Sequence, residues 1–217
     1  ISGQNCTIRG NVVSWDWNPH AARADRRTPA QKGREQQGDS NMTTYRRLTA
    51  SEIDRALFAG FVRRQEGTRC WRKINGAWQI RDIAFVDDWS EEDYAFLVTC
   101  LQNTVCTGGA VFGAFADGVL KGFVSVESAP LGRNGDYRDL SSLHVSQELR
   151  GQGIGRRLFA LAREFAREQG ALKLYISAHS AVETQAFYRA MGCTEAQEYD
   201  PEHVEREPCD CQLECRV

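Results

Sequence analysis

This sequence lacks three features: long apolar runs, an excess of one charge, and a segment that resembles a secretory leader. No apolar stretch approaches the roughly 20 residues of a transmembrane helix, so we predict no membrane partner. Lys and Arg total 27 and Asp and Glu total 29, a balance that argues against non-specific nucleic-acid binding. Residues 1–41 contain neither the apolar core nor the cleavage site of a secretory signal, so we expect a cytoplasmic protein.

The N-terminal part differs in composition from the rest of the chain. The segment from Asn18 to Asn41 has few aliphatic residues and many Arg, Gln, Gly and Ala, whereas periodic patterning begins just after Met42. We therefore predict an N-terminal extension over 1–41, flexible or partly docked, and one domain over 42–217. With 41% hydrophobic residues among its 217, the chain can bury the core of one such domain.

Strand and helix patterns alternate after Met42. Asn75-Gly76 and Asp117-Gly118 each separate two apolar runs and predict hairpins, and Ser90 with Asp93 predicts a helix N-terminus. The other predicted elements, in chain order, are a strand Thr44–Leu48, a helix from Ser51, a strand Arg138–Ser146, a helix ending near Gly170, a strand Leu172–Ala178, a helix Ser180–Met191, and strands near Cys193–Tyr199 and Cys209–Val217. This order predicts an α/β domain with a mixed sheet covered by helices on both faces.

The eight cysteines raise the question of a metal site, since Cys209, Cys211 and Cys215 follow His203 closely. The Cys-x-Cys spacing lacks the second pair of ligands that a structural zinc site uses. In an extended strand these three thiols share one apolar face with Leu213. We therefore interpret them as buried thiols of a final strand and predict no metal.

The segment from Leu143 to Leu158 combines a strand, a glycine-rich turn and a helix. Glycines at 151, 153 and 155 let main-chain amides approach an anion closely, and a helix N-terminus adds unpaired donors. This predicts a pyrophosphate site. Arg156 stands where a dinucleotide fingerprint needs its third glycine, and no Lys-Ser/Thr pair follows as in a P-loop. A turn without a ligand remains the alternative.

This turn resembles the acetyl-CoA signature of the GNAT superfamily, Arg/Gln-x-x-Gly-x-Gly/Ala, with Arg150, Gly153 and Gly155 at its defined positions. The resemblance extends over 43–217 in element order. It implies an acetyl-CoA-dependent N-acetyltransferase with a central, mostly antiparallel mixed sheet flanked by about four helices. It also implies that coenzyme A contacts the strand end and turn: Leu143, His144, Val145, Arg150, Gly151, Gln152, Gly153, Ile154, Gly155 and Arg156.

A second segment, Ser180–Cys193, also resembles the family. Ser180 and Glu183 predict a capping box, and Phe187-Tyr188 ahead of Gly192 matches the family ending Phe-Tyr-x-x-x-Gly-Phe, with Cys193 in place of the last aromatic. The resemblance places Tyr188 near the sulfur of coenzyme A, where a phenol can protonate the departing thiolate. It adds four cofactor contacts: Ser180, Gln185, Phe187 and Tyr188.

The general base is harder to identify. Many members of the family carry a carboxylate in the middle of the strand before the turn, where this chain has Ser141 and Ser142. We predict Asp139, Glu127 and His144 as candidates, in that order. A solvated strand end, a cross-strand pair and a hydrogen-bonded core histidine are the respective structural alternatives.

The region between the first two helices predicts the acceptor, because in the family it walls the acceptor site. Its aromatic and acidic side chains favour a polycationic acceptor such as an aminoglycoside or a polyamine. The predicted contacts are Trp71, Trp78, Asp87, Asp88, Trp89 and Glu91. The same acidic residues are typical of an ordinary helix N-terminus. A protein lysine or N-terminal acetyltransferase, and a non-catalytic acyl-CoA-binding module, remain alternatives; the family also makes a homodimer an expectation.

Overall fold

The computed structural model describes residues 43–217, so the predicted extension over 1–41 lies outside the described residues. The helices of this part are α1 Glu91–Cys106, α2 Ile154–Glu168, α3 Val182–Ala190 and α4 Pro201–Arg206. The strands are β1 Thr44–Arg47, β2 Arg64–Ile74, β3 Ala77–Asp88, β4 Ala110–Ala116, β5 Val119–Val126, β6 Pro130–Leu131, β7 Tyr137–Asp139, β8 Ser142–Val145, β9 Lys173–Ala178, β10 Thr194–Glu195 and β11 Cys211–Arg216. No helix among these residues is both long and apolar enough to cross a bilayer.

The strands form two larger sheets and one long hairpin. The first sheet has the order β1-β4-β5-β8 and is antiparallel throughout, and the second has the order β10-β11-β9-β7-β6. In the second sheet only the β7–β9 pair is parallel, so the predicted mixed, mostly antiparallel architecture is confirmed. Strands β2 and β3 pair with each other around Asn75-Gly76.

Alternating side chains of the central strand β4 enter two separate cores. Ala110 and Ala114 belong to a cluster with residues of α2, whereas Val111 and Phe115 belong to a cluster with residues of α1. Because successive side chains of a strand point to opposite faces, the two helices cover opposite faces of the first sheet. Strand β4 is apolar on both faces because each face contacts a helix.

The strand predicted over Arg138–Ser146 is divided between the two sheets. The Leu140 N–H donates to Tyr175 O in β9 at 2.9 Å, and the next amide, that of Ser141, donates to Ser125 O at 3.1 Å. Beyond this point β8 pairs with β5 alone, and the end of β9 pairs with β11 alone. The two sheets therefore separate after Tyr175, and a gap opens between β8 and β9.

The prediction of a helix from Ser51 is wrong. Two short 3-10 turns, Ala50–Glu52 and Ala56–Phe58, stand there instead. The Asp54 carboxylate accepts the Leu57 N–H at 2.8 Å, a side-chain bond that competes with helical hydrogen bonding. Apolar residues of this segment still enter the core, since Ile53 and Phe61 are buried in the cluster with α1.

The prediction of a capping box at Ser180 is also wrong. Helix α3 begins after Ala181, and the Ser180 hydroxyl accepts a bond from Arg72 Nη1 at 2.6 Å. The Trp71 N–H donates to the Ser180 carbonyl at 2.8 Å, so this residue joins the β2–β3 hairpin to the domain.

The end of the chain differs from the prediction by one helix. The strand expected over Cys193–Tyr199 is limited to β10, and α4 follows it with the Asp200 carboxylate accepting the His203 N–H at 3.0 Å. Burial of the thiols in the last strand is confirmed for Cys211 and Cys215, whereas Cys209 precedes the strand and is exposed.

Candidate active site

The glycine-rich turn before α2 has the geometry of an anion cradle. Gly151 and Gly153 have φ values of 78° and 86°, and a Cβ built on either would meet no heavy atom within 4 Å. Side chains rarely adopt this left-handed conformation, and the space beside the main chain is open. The Arg157 N–H donates to Gly153 O at 3.1 Å, so the amides of 154–156 precede this first helical bond. These amides are available to a phosphate.

Strand β8 presents main-chain groups to the gap between the sheets. The Ser146 N–H donates to Lys121 O at 2.8 Å, and His144 pairs with Phe123 in the same ladder. By the alternation of an antiparallel ladder, the main-chain groups of Leu143 and Val145 point away from β5 and toward the gap. The Val145 carbonyl already accepts a bond from Arg150 Nε at 3.0 Å. An extended ligand could pair with this edge.

The remaining predicted cofactor residues fall into two groups. Gly155 and Phe187 lie together, because a Cβ on Gly155 would stand 3.2 Å from the Phe187 ring. Gln152 and Arg156 are exposed at the turn, and Ile154 is buried beneath it. Ser180 and Gln185 are each only 2% exposed, and Gln185 Nε2 donates to His179 O at 3.0 Å. The structure therefore ties Ser180 and Gln185 to the protein interior and not to the turn.

A cavity of about 830 Å³ adjoins β8 and the end of β9. All four predicted catalytic residues line it: Glu127, Asp139, His144 and Tyr188. Glu127 directly follows β5, and the other three come from β7, β8 and α3, so the fold assembles them from distant parts of the sequence.

Tyr188 is the phenol of this cavity. Its side chain is buried, and burial, with the nearby Cys193, Asp210 and Asp139, raises its pKa well above the usual 10. The hydroxyl is therefore protonated at every physiological pH, as a proton donor must be before it acts.

Glu127 is held by two hydroxyl groups. Thr104 Oγ1 and Ser141 Oγ donate to its Oε1 at 2.7 and 2.6 Å. Burial raises its pKa although both hydrogen bonds oppose the shift, and the charge of Asp139 adds to the rise. A carboxylate with a raised pKa is a stronger base than an exposed one and also attracts a cation.

Asp139 and His144 have contrasting surroundings. Oδ2 of Asp139 lies 3.2 Å from Nε2 of His203, and its Oδ1 is buried without a hydrogen-bond partner among the described residues. The His144 ring contacts Trp89 and Phe123, with centroid distances of 4.8 and 5.3 Å. Burial, followed by the charges of Arg63 and Arg150, lowers the pKa of His144 well below 6.5, so its imidazole is neutral.

The predicted acidic and aromatic wall is divided in the structure. Asp87 and Trp89 line the cavity, and Asp87 is paired there with Arg63. Asp88 pairs with Arg64 at 2.8 Å, and Glu91 pairs with Arg55 at 2.6 Å; neither carboxylate lines the cavity.

The two hairpin tryptophans lie elsewhere. Trp71 and Trp78 line a separate cavity of about 110 Å³, with Arg189 stacked 4.5 Å from the Trp71 ring. Trp78 Nε1 donates to Glu195 Oε2 at 3.0 Å. In the hairpin register Trp71 pairs with Ile80 and Lys73 pairs with Trp78, so the two tryptophans share one face. Both tryptophan side chains pack against the core cluster of α2, away from the larger cavity.

The profile of the family described as "Acetyltransferase (GNAT) family" matches residues 74–193, more than half of the chain. The chain belongs to the GNAT acetyltransferase family. It is therefore an acyltransferase of the N-acetyltransferase type, and acetyl-CoA is its cosubstrate. The turn at Gly151–Gly153 and the free edge of β8 fit the pyrophosphate and the extended arm of that cosubstrate.

Solved GNAT structures share this fold at low sequence identity. Nourseothricin acetyltransferase is 19% identical, with a TM-score of 0.57 over 80% of this chain and 98% of that chain. A putative streptothricin acetyltransferase from Bacillus anthracis str. Ames, in complex with acetyl coenzyme A, is 14% identical, with a TM-score of 0.59 over 81% and 99%. PaiA N-acetyltransferase from Thermoplasma acidophilum, in complex with coenzyme A, is 16% identical, with a TM-score of 0.52 over 81% and 99%. No curated protein matches the sequence.

The GNAT cavity also contains titratable residues that sequence reasoning missed. Most come from α4 and the loop that follows it: Asp200, Glu202, His203, Glu207 and Asp210, together with His179 after β9. The sequence did carry a signal for α4, because Asp followed by Pro is a typical helix N-terminus. The sequence carried no signal that α4 lines the cavity, because no local pattern indicates which face of the helix is turned toward it.

Proposed function

We propose that this acetyltransferase transfers an acetyl group to a primary amine of a small, cationic acceptor. The supporting observation is the charge of the cavity, which is lined by eight carboxyl side chains and by two arginines. One of the arginines, Arg63, is paired with Asp87, and the pair Glu207 and Asp210 retains a proton at neutral pH. The remaining negative charge favours an acceptor with two or more ammonium groups.

Direct attack within a ternary complex suits this arrangement. The acceptor amine must lose a proton before its nitrogen can attack the acetyl carbonyl carbon. As the carbon–sulfur bond breaks, the neutral phenol of Tyr188 donates a proton to the sulfur and regains one from the new amide nitrogen. Glu127 attracts the ammonium form of the acceptor to this place.

The choice among cationic acceptors rests on the named relatives and on charge. The solved relatives named for nourseothricin and streptothricin support an antibiotic acceptor, and aminoglycosides and polyamines carry the same kind of charge. A lysine side chain in a peptide is a single cation and would use little of the acidic lining. We therefore place small polycations ahead of peptides.

A thiol-release assay with acetyl-CoA tests this proposal. The acceptor panel contains streptothricins, aminoglycosides, polyamines, monoamines of matched length and lysine peptides, and product masses are recorded. We expect acetylated products with the polycations and a lower KM for diamines than for the matched monoamines. Equal KM values, or a preference for lysine peptides, would reject the cationic small-molecule acceptor.

Glu127→Gln provides a sharper test of the cavity charge. The amide retains an oxygen for Thr104 and Ser141 but loses the negative charge, so KM for a diamine should rise about tenfold, equivalent to about 1.4 kcal/mol. Glu168→Gln, which removes a carboxylate from the end of α2 outside the cavity, serves as the control. An equal KM change in both variants would show that the cavity charge does not bind the acceptor.

A further inference from the structure

We propose that His203 takes the proton from the acceptor amine, with Asp139 as the residue that positions its imidazole. This inference rests on the proposed function and assigns its missing base. His203 stands on α4 and lines the same cavity as Tyr188 and Glu127.

The pairing with Asp139 favours one state of the imidazole. Nε2 of His203 lies 3.2 Å from Oδ2 of Asp139, and a carboxylate at this distance favours the tautomer with the ring proton on Nε2 and the lone pair on Nδ1. Among the described residues Nδ1 has no hydrogen-bond partner, and it is not one of the buried polar atoms that lack a partner, so it is accessible. A nitrogen with a free lone pair therefore remains available to the cavity.

The helix that carries His203 is firmly anchored. The Asp200 carboxylate caps α4 by accepting the His203 N–H at 3.0 Å, and the Asp200 N–H donates to Tyr175 Oη at 2.9 Å. The His203 ring also packs on the Tyr175 ring, with centroids 5.4 Å apart. These contacts hold the imidazole at the base of the gap between β8 and β9.

Five groups face the His203 imidazole: Asp139 from β7, Tyr175 from β9, Asp200 and Arg206 at the ends of α4, and Asp210 from the loop after α4. Burial alone would lower the pKa of His203, but the hydrogen bond and charge of Asp139, helped by Asp200, outweigh burial and the charge of Arg206 and raise it. His144 in the same cavity is shifted in the opposite direction. His203 is thus the stronger imidazole base of the two.

The reaction balances through these groups. The ammonium of the acceptor gives one proton to Nδ1 of His203, and the resulting imidazolium is stabilised by Asp139. The free amine forms the C–N bond as the C–S bond breaks, and its second proton replaces the one that Tyr188 gives to the sulfur. His203 then returns its proton to solvent.

The pH dependence of kcat/KM for His203→Gln tests the assignment in the full-length enzyme. Glutamine can still donate to Asp139, but it cannot accept a proton. We expect a loss on the order of a hundredfold near pH 7. The loss should shrink as the pH approaches the pKa of the acceptor, because the free amine is then supplied by solution. If the ratio of kcat/KM between the variant and the wild type is constant at all pH values, His203 has a structural role and the proposal is rejected.

Asp139→Asn gives an independent readout, also usable if His203→Gln fails to fold. Loss of the carboxylate charge should move the acid limb of the kcat/KM profile to lower pH, because it removes the group that raises the pKa of His203. An unmoved limb would reject the positioning role. If the wild type acetylates no cationic amine, the proposed function itself fails, whereas transfer with unaltered profiles in both variants rejects only His203 as the base.

Discussion

Tyr188 shows how one environment can both bury a residue and prepare it for chemistry. Its ring packs on Phe159 and Phe187, with centroid distances of 6.2 and 5.1 Å, and its hydroxyl lies in a cavity rich in carboxylates. Both circumstances disfavour the phenolate, so the hydroxyl keeps its proton until it can pass it to the departing sulfur while the new amide nitrogen supplies a replacement.

Tyr188→Phe should therefore lower kcat by about 10²-fold or more, while the Kd for coenzyme A changes little. Because the pKa of Tyr188 is raised, wild-type kcat should show no decline from its ionisation up to pH 10. Steady-state kinetics and calorimetric titration measure the two quantities. Tyr199→Phe, at an exposed tyrosine that does not line the cavity, is the matched control. Equal turnover in wild type and Tyr188→Phe would remove the acid role.

Single residues could be nominated from the sequence when a motif or a strand position pointed to them. Glu127, Asp139 and His144 follow that rule, and the structure brings all three to one cavity with Tyr188. His203 could not be found in this way. Its position depends on α4 and on a bond to Asp139, a residue 64 positions earlier in the chain.

The strand–turn–helix element at Gly151–Gly153 combines backbone strain with ligand access. Any side chain at Gly153 must adopt a positive φ, which costs about 1–2 kcal/mol. The same cost applies at Gly118, where φ is 77° and the surroundings are equally open, but this turn joins β4 and β5 away from the cavity. A comparison of substitutions at these two glycines therefore distinguishes the effect of backbone strain from an effect on cofactor binding.

Gly153→Ala should raise the KM for acetyl-CoA about tenfold or more, because the main chain can relax away from the cradle geometry that its amides need. Gly118→Ala should cost similar thermal stability and leave this KM unchanged. Melting temperatures and initial rates at varied acetyl-CoA concentrations provide the comparison. Equal KM values for acetyl-CoA in the two variants would show that the turn does not bind the pyrophosphate.

Elements with strong local signals were predicted well, and elements determined by tertiary contacts were not. The Asn75-Gly76 turn, with φ values of 51° and 80°, and the Ser90–Asp93 capping box appear as expected. The apolar runs on either side of that turn form only part of the long strands β2 and β3, whose remaining residues include many charged side chains. The break between β7 and β8 was missed because it arises from a change of partner strand.

At the scale of the whole molecule, the separation of the two sheets creates the functional cavity. Its carboxylates come from segments near 87–93, 127, 139 and 200–210, which are distant in sequence. Because these carboxylates are clustered, the burial of each negative charge costs more free energy. This cost is concentrated in the pair Glu207 and Asp210. Burial, followed by the charge and hydrogen bond of Asp210, raises the pKa of Glu207.

This shift makes the stability of the fold dependent on pH. The folded protein keeps the Glu207 proton above the ordinary carboxyl pKa of 4.5, whereas the unfolded chain releases it there. The folded state thus binds more protons, and stability must fall as the pH rises through the neutral range. Glu207→Gln removes this titration. It should match the wild type near pH 5 and exceed its melting temperature by several degrees at pH 9, given about 2–4 °C per kcal/mol for a chain of this size.

Glu205→Gln is the control for this comparison, because Glu205 is exposed on α4, two residues before Glu207, and does not line the cavity. Its melting curve should follow that of the wild type from pH 5 to pH 9. If Glu207→Gln also follows the wild type, the carboxyl pair is ionised in the folded state without cost. The cavity would then hold two more negative charges at neutral pH, and its attraction for a polycation would be stronger than proposed above.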